Sequence, residues 1–176
     1  STLMRSSAAS DVYKRQEYAY RTYGLTPVFT AVEKRLDPGA GQLAARGLSV
    51  PHYFLDDAGG AGTIIGALSR MEMVVSMRLH ALIFSAGHGI PLAGVVYDPK
   101  VSAFLRYIGQ ELFVDLSELT EADLRRMIDR CAVQARDPGA QAAAVARLQE
   151  MEQGNVRVAR RLLGLPEFQE KKVSDA

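Results

Sequence analysis

The sequence predicts an α/β fold: a Rossmann-like parallel sheet with helices on both faces. Short, continuously apolar runs alternate with helix-like segments from residue 27 to residue 114. Such runs are typical of strands that are buried on both faces of a parallel sheet. Proline and glycine stand where helices would begin and end, which sharpens the boundaries. A length of 176 residues with 48% hydrophobic residues is enough for one such domain with a core.

The elements follow from local signals in chain order. A helix over Glu17–Tyr23 ends at Gly24, and Asp37 and Asp98 each precede a proline, a pattern that starts a helix. The predicted strands are Pro27–Val32, His52–Leu55, Met73–Ser76, Leu92–Val96 and Leu112–Val114. The later helices are Pro38–Arg46, Thr63–Arg70, Arg78–Gly87, Pro99–Ile108, Glu121–Ala135 and Ala140–Leu163, of which the fifth begins after a capping Thr120. Leu124, Met127, Ile128 and Cys131 share one helix face, so Cys131 is predicted to lie in the core.

We divide the chain into three regions. Residues 1–16 are Ser/Ala-rich and are predicted to be a non-native or disordered leader. Residues 17–165 form a single Rossmann-like domain with C-terminal helices. Residues 166–176 form a polar, frayed tail.

Composition excludes several classes of function. The net charge of +1 is spread along the chain and gives no basic surface for nucleic acid. The single cysteine excludes an internal disulfide and suits a reducing cytosol. No apolar run reaches the roughly 18–20 residues that span a bilayer, so no transmembrane segment is predicted. No HExxH motif or paired Cys/His spacing indicates a metal, and no cofactor is expected.

Two basic side chains and an imidazole lie where predicted strands lead into helices. Arg78 and His80 follow the strand that ends at Ser76, and Lys100 follows the strand that ends near Tyr97. In an open α/β sheet these positions line the ligand crevice, and helix starts attract anions. The planar fork of Arg suits carboxylate or phosphate, and His transfers protons near neutral pH. The pattern predicts an anion-binding site.

Each of these residues also has a structural interpretation. Arg78 can be a surface residue and His80 can bond to the backbone, while Asp98 would start the helix that carries Lys100 without any ligand. Tyr97 either stacks on a ligand or covers the sheet edge. Positions two apart do not point the same way on a regular helix. Arg78 and His80 can therefore reach one anion only across the helix end, or if Arg78 is still in the turn.

Other motifs favour structural roles. The loop Asp56–Gly62 contains the run Gly59-Gly60-Ala61-Gly62, but it lacks GxGxxG spacing and a Lys-Ser/Thr signature, so we interpret it as a flexible turn. Asp56 and Asp57 are expected to be solvated rather than to bind a cation. His88 is expected to cap a helix C-terminus, and His52 has no partner that the sequence identifies.

The candidate residues lie within a longer pattern. MRLHALIF over Met77–Phe84, GIP over Gly89–Pro91 and YDPKV over Tyr97–Val101 together resemble the C-terminal half of polysaccharide pyruvyl transferases, specifically the CsaB type. A looser similarity extends from Tyr18 to Val114. These are bacterial cell-wall enzymes.

The resemblance implies a fold, a reaction and partners. The fold is one domain of a GT-B-like pair of Rossmann-like domains, with the active site in the cleft between them. Phosphoenolpyruvate donates pyruvate to two hydroxyls of one sugar, commonly N-acetylmannosamine, so that a ketal forms and phosphate leaves. The acceptor is a glycan or a lipid-linked glycan, which implies a cytoplasmic enzyme or one at the inner face of the cell membrane. His80 is then catalytic, and Arg78, Lys100 and Tyr97 bind the donor.

Two alternatives stay open at this point. A GT-B-type glycosyltransferase would use similar basic groups for a nucleotide-sugar, and an acidic residue in Arg78–Gly87 would favour it, but that segment has none. The other alternative is a non-catalytic, truncated Rossmann-like domain. Because the family has an N-terminal domain that this chain lacks, we expect the isolated fragment to have little or no turnover and to self-associate through exposed apolar surface.

Overall fold

A computed structural model describes residues 16–32, 37–55 and 59–166. The predictions for leader residues 1–15, for Asp56 and Asp57 and for tail residues 167–176 lie outside the described residues and stay predictions. The strands are β1 (Val28–Thr30), β2 (Tyr53–Leu55), β3 (Val74–Ser76), β4 (Leu92–Val96) and β5 (Phe113–Asp115). The helices are α1 (residues 16–23), α2 (Asp37–Ala45), α3 (Ala61–Leu68), α4 (Leu79–Gly87), α5 (Pro99–Tyr107), α6 (Glu121–Gln134) and α7 (Pro138–Leu162).

All strand pairs in the described part of the chain are parallel, which confirms the α/β class. The strands form two sheets rather than one: β1 pairs with β2, and β3, β4 and β5 pair in that order. In the larger sheet Ser76 lies opposite Gly94, and Gly94 lies opposite Phe113. Strand β4 is therefore central, and every one of its residues is buried.

Helices cover both faces of the larger sheet, as predicted. Because side chains alternate along a strand, Leu92 and Val96 join a core cluster with Leu82, Val101 and Leu105 from α4 and α5. The intervening Ala93 packs instead against Met127 and Cys131 of α6. The prediction that Cys131 is a core residue is confirmed, and its thiol is fully buried.

Helix α5 approaches β4 unusually closely at one glycine. A Cβ added to Gly94 would lie 2.3 Å from Cδ1 of Leu105, a side chain with no exposed surface. Only the absence of a side chain at Gly94 allows this separation. The contact fixes the distance between β4 and the helix that carries Lys100 in its first turn.

Side-chain packing joins the two sheets. Val32, after β1, and Leu55, at the end of β2, pack against Ile64, Val74 and Ala81. These three residues come from α3, β3 and α4. The two-stranded sheet is therefore attached to the larger sheet near the start of α4.

Two local predictions need correction. Helix α4 begins at Leu79 rather than at Arg78, because Arg78 is an extended N-cap residue whose N–H donates to the Ser76 hydroxyl at 2.9 Å. Asp37, predicted as an N-cap, is the first residue of α2. Other boundaries agree within two or three residues, and none of the described helices is long and apolar enough to cross a bilayer.

Candidate functional site

The sequence-predicted residues lie at the carboxyl edge of two neighbouring parallel strands. Strand β3 ends at Ser76, two residues before Arg78, and β4 ends at Val96, immediately before Tyr97. With Ser76 opposite Gly94, the chain leaves both strands at the same edge. This is where open α/β sheets bind ligands.

Arg78 is held by a carboxylate from another element. Its backbone is extended, with φ −87° and ψ 118°. Its Nε donates to Oδ1 of Asp37 at 2.9 Å, and a terminal guanidinium nitrogen donates to the same oxygen. The second carboxylate oxygen of Asp37 accepts the Val32 N–H at 3.1 Å. The Arg78 side chain is thereby tied to the segment between β1 and α2.

The charge of Arg78 is stabilised by its surroundings. The hydrogen bond to Asp37 is the largest effect that raises the pKa of Arg78, and partial burial opposes it. The attraction of Asp37 and an interaction with the Tyr97 phenol raise that pKa further. Arg78 is thus a permanent cation with an acidic partner on one side and a phenol on another.

Lys100 lies in the first turn of α5 and contacts two neighbours. Its Nζ is 6.0 Å from the centroid of the Tyr97 ring and 3.4 Å from Oδ2 of Asp98. The other oxygen of Asp98 accepts the Lys100 N–H at 2.9 Å, which confirms Asp98 as a structural cap, and these bonds lower the pKa of Asp98. More than half of the Lys100 side chain is exposed, so this ion pair is weak and the ammonium can turn towards an anion.

His80 is the second residue of α4 and is exposed. Its ring centroid lies 6.2 Å from that of Phe84, one turn further along the same helix. No side chain caps the start of α4, whereas Asp98 caps the start of α5. The first-turn N–H groups of α4 are therefore the better anion donors of the two helices.

Contacts connect three of the four predicted residues. The Tyr97 phenol contributes to the raised pKa of Arg78, and the centroid of its ring lies 6.0 Å from Nζ of Lys100. We call Arg78, Tyr97 and Lys100 the cationic strip. His80 shares the start of α4 with this strip, but the ring contact that the structure gives it is with Phe84. Arg78 lies in the turn before α4, so helical spacing does not set its direction relative to His80. The objection that residues two apart on a helix point different ways therefore does not apply to this pair.

Asp37 is the residue that the sequence reasoning missed. Its sequence context indicates a helix cap, yet its carboxylate is hydrogen-bonded to Arg78, the residue predicted to bind an anion. The rule that selected Arg78 also applies to Asp37, because Asp37 follows strand β1 of a parallel pair. The sequence did not reveal that two different sheets would bring these residues together.

The remaining histidines have structural contacts. His88 follows α4, and its Nδ1 lies 2.8 Å from the Phe84 carbonyl oxygen, which confirms its capping role. His52 Nδ1 lies 3.0 Å from the Val50 carbonyl oxygen, and its ring packs edge-on against Phe29 and Phe54. Among residues 16–32, 37–55 and 59–166, no three His, Cys, Asp or Glu residues are grouped to hold a metal.

A cavity of about 370 Å³ lies elsewhere, at the amino ends of the strands. Its walls include Pro91, which precedes β4, and residues of α7 such as Gln141 and Leu148. None of Arg78, His80, Tyr97 and Lys100 lines it. The candidate site is an open edge rather than this cavity.

Comparison with protein families identifies the chain. The family described as polysaccharide pyruvyl transferase matches residues 7–99, more than half of the sequence. The chain belongs to the polysaccharide pyruvyl transferase family. Comparisons with curated proteins and with solved structures found no match.

Membership in the pyruvyl transferase family confirms the resemblance that the motifs indicated. The matched range contains Arg78, His80 and Tyr97, and it ends one residue before Lys100. It begins at residue 7, inside the segment predicted as a leader, and that prediction stays untested. The family is a transferase family with a glycan acceptor, which favours the first of the three functions considered above.

Proposed function

We propose that this pyruvyl transferase family member binds phosphoenolpyruvate at the carboxyl edge of β3 and β4 and transfers its pyruvate to a glycan. The observation that carries the proposal is the cationic strip of Arg78 and Lys100, next to the uncapped start of α4, in a chain of this family. A donor that carries both a carboxylate and a phosphate needs several cationic groups at one place.

The strip offers suitable donors for such a molecule. A guanidinium has five N–H groups, and the two bonds to Asp37 leave three for Tyr97 and a ligand. Lys100 adds a mobile ammonium, and the first turn of α4 adds backbone N–H groups. We assign Arg78 to the carboxylate or phosphate of the donor and Lys100 to the phosphate that leaves. Tyr97 would cover the donor between them.

The proposed reaction adds two sugar hydroxyls to one donor carbon. A proton added to the methylene carbon of phosphoenolpyruvate makes the neighbouring carbon electrophilic, and the first hydroxyl attacks it. The bond from that carbon to the phosphate oxygen then breaks, phosphate leaves, and the second hydroxyl closes the cyclic ketal. Of the two hydroxyl protons released, one balances the proton on the new methyl group and the other balances the phosphate.

We assign proton transfer to His80. Its imidazole is exposed at the start of α4, where it can give a proton to the methylene carbon or take one from an attacking hydroxyl. A His80→Asn variant should keep phosphoenolpyruvate affinity within a few-fold. In a protein that also carries the N-terminal domain expected of the family, the same substitution should lower phosphate release by about 10²–10⁴-fold, the usual contribution of a positioned acid or base. Unchanged phosphate release would contradict the assignment.

Donor binding can be tested directly on this chain. Calorimetric titration with phosphoenolpyruvate should give saturable binding that weakens as salt is added, because exposed charges are screened. Lys100→Met should weaken binding by about tenfold, the loss of one charge-assisted contact. Arg106→Met is the matched control, since Arg106 lies in the last turn of the same helix against Phe113. If the unmodified chain gave no heat and no amide shifts near Arg78, donor binding at this edge would be excluded.

A further inference from the structure

The carboxylate of Asp37 accepts hydrogen bonds from Arg78, the residue that we propose to bind the donor. We infer that Asp37 is a positioning residue, which fixes the guanidinium of Arg78 for binding of the donor anion. The inference rests on the proposed function. Asp37 starts α2, the helix between the two strands of the smaller sheet, whereas Arg78 follows strand β3 of the larger sheet.

The carboxylate is a rigid support rather than a mobile partner. One oxygen of Asp37 accepts both bonds from Arg78, and the other accepts the backbone N–H of Val32. Only 12% of the Asp37 side chain is exposed, against 55% for the Lys100 side chain. Val32 itself packs into the core cluster that joins the two sheets. The carboxylate is thus anchored through the backbone to packed structure.

This anchoring selects one edge of the guanidinium for the ligand. Asp37 takes Nε–H and one terminal N–H, so the opposite edge keeps its donors in a fixed direction. A free Arg side chain loses rotamer entropy when it is immobilised. In this fold the cost is met on folding rather than on binding, so the ligand meets a pre-oriented donor.

Simple electrostatics makes the opposite prediction, which allows a sharp test. Removal of any negative charge near an anion site should tighten anion binding. If Asp37 positions Arg78, removal of its charge should instead weaken binding. Asp115 provides the matched control: it ends the neighbouring strand β5, and its carboxylate is engaged with the Ser117 N–H and hydroxyl rather than with Arg78.

The experiment is a calorimetric titration of phosphoenolpyruvate into the full chain and its Asp37→Asn, Asp115→Asn and Arg78→Gln variants. We expect Asp37→Asn to raise the Kd by about tenfold, equivalent to one charge-assisted hydrogen bond. Asp115→Asn should leave the Kd unchanged or lower it. In the Arg78→Gln background, Asp37→Asn should have no further effect, because Asp37 acts through Arg78.

Thermal melts of all variants separate binding from folding. If Asp37→Asn does not fold, Asp37→Glu tests the positioning alone: it keeps the charge but moves it by one methylene, and its Kd should still rise. An Asp37 variant that binds phosphoenolpyruvate as well as or better than the unmodified chain would overturn the inference. So would an equal loss in the Arg78→Gln background, which would indicate a general structural defect. If the unmodified chain itself did not bind, the proposed function would fail and this inference with it.

Discussion

Replacement of Gly94 by Ala tests the packing that places the candidate site. The new Cβ would lie 2.3 Å from Cδ1 of Leu105, whereas carbon atoms in contact prefer about 3.5–4.0 Å. Leu105 is fully buried in the cluster with Leu82, Val96 and Val101, so it has no space to move into. The overlap must be relieved by a strained rotamer of Leu105 or by a shift of α5 away from β4.

The cost should be about 2 kcal/mol, the middle of the range for overpacked cores. For a chain of this size, a loss of about 2 kcal/mol lowers the melting temperature by roughly 4–8 °C. Thermal unfolding followed by circular dichroism measures the shift, and urea unfolding gives the free energy independently.

A matched glycine shows whether the effect comes from the close contact. Gly66 lies inside α3, and an added Cβ there meets nothing within 4 Å. Gly66→Ala should stabilise the fold by about 0.5–1 kcal/mol, because alanine is the better helix former. In a Leu105→Ala background, Gly94→Ala should cost much less than it does alone. A Gly94→Ala protein with an unchanged melting temperature would refute the packing described here.

Three further predictions concern single groups. Thr120→Ala removes the capping box at the start of α6 and should cost about 1 kcal/mol in urea unfolding; an unchanged midpoint would contradict it. Burial raises the pKa of Cys131 to about 12, so the thiol of the folded protein should resist alkylation at pH 8 and react only on unfolding. Mass spectrometry measures the alkylated fraction, and rapid alkylation of Cys131 in the folded protein would contradict its burial. The hydrogen bond to Asp129 raises the pKa of Tyr23 to about 12. The stability difference between the unmodified chain and Tyr23→Phe should therefore be constant below about pH 10 and disappear between about pH 10 and 12; a difference that persisted through this window would contradict it.

Much of the fold could be predicted because its signals are local. The apolar run of β4, the Asp98-Pro99 helix start and the spacing of the α6 core face each depend on a few neighbouring residues. The position of Arg78, Tyr97 and Lys100 at one edge also followed, because strand–helix junctions in a parallel sheet meet there.

The division into two sheets could not be predicted in the same way. Strands β1 and β2 have three residues each, and the pattern of such short runs specifies pairing only weakly. The same limit hid the contact between Asp37 and Arg78, which are 41 residues apart and meet only after both sheets have formed. The start of α4 was placed one residue early, because sequence does not show that Arg78 keeps an extended backbone.

The way the two sheets are joined has a consequence for motion. In the described part of the chain no strand of one sheet forms ladder hydrogen bonds with a strand of the other, so the unit β1–α2–β2 is held by side chains alone. Such a unit can open as a separate cooperative segment while β3, β4 and β5 stay paired. In native-state hydrogen exchange, its amides should lose protection before those of β4, and donor binding through Arg78 should slow that loss.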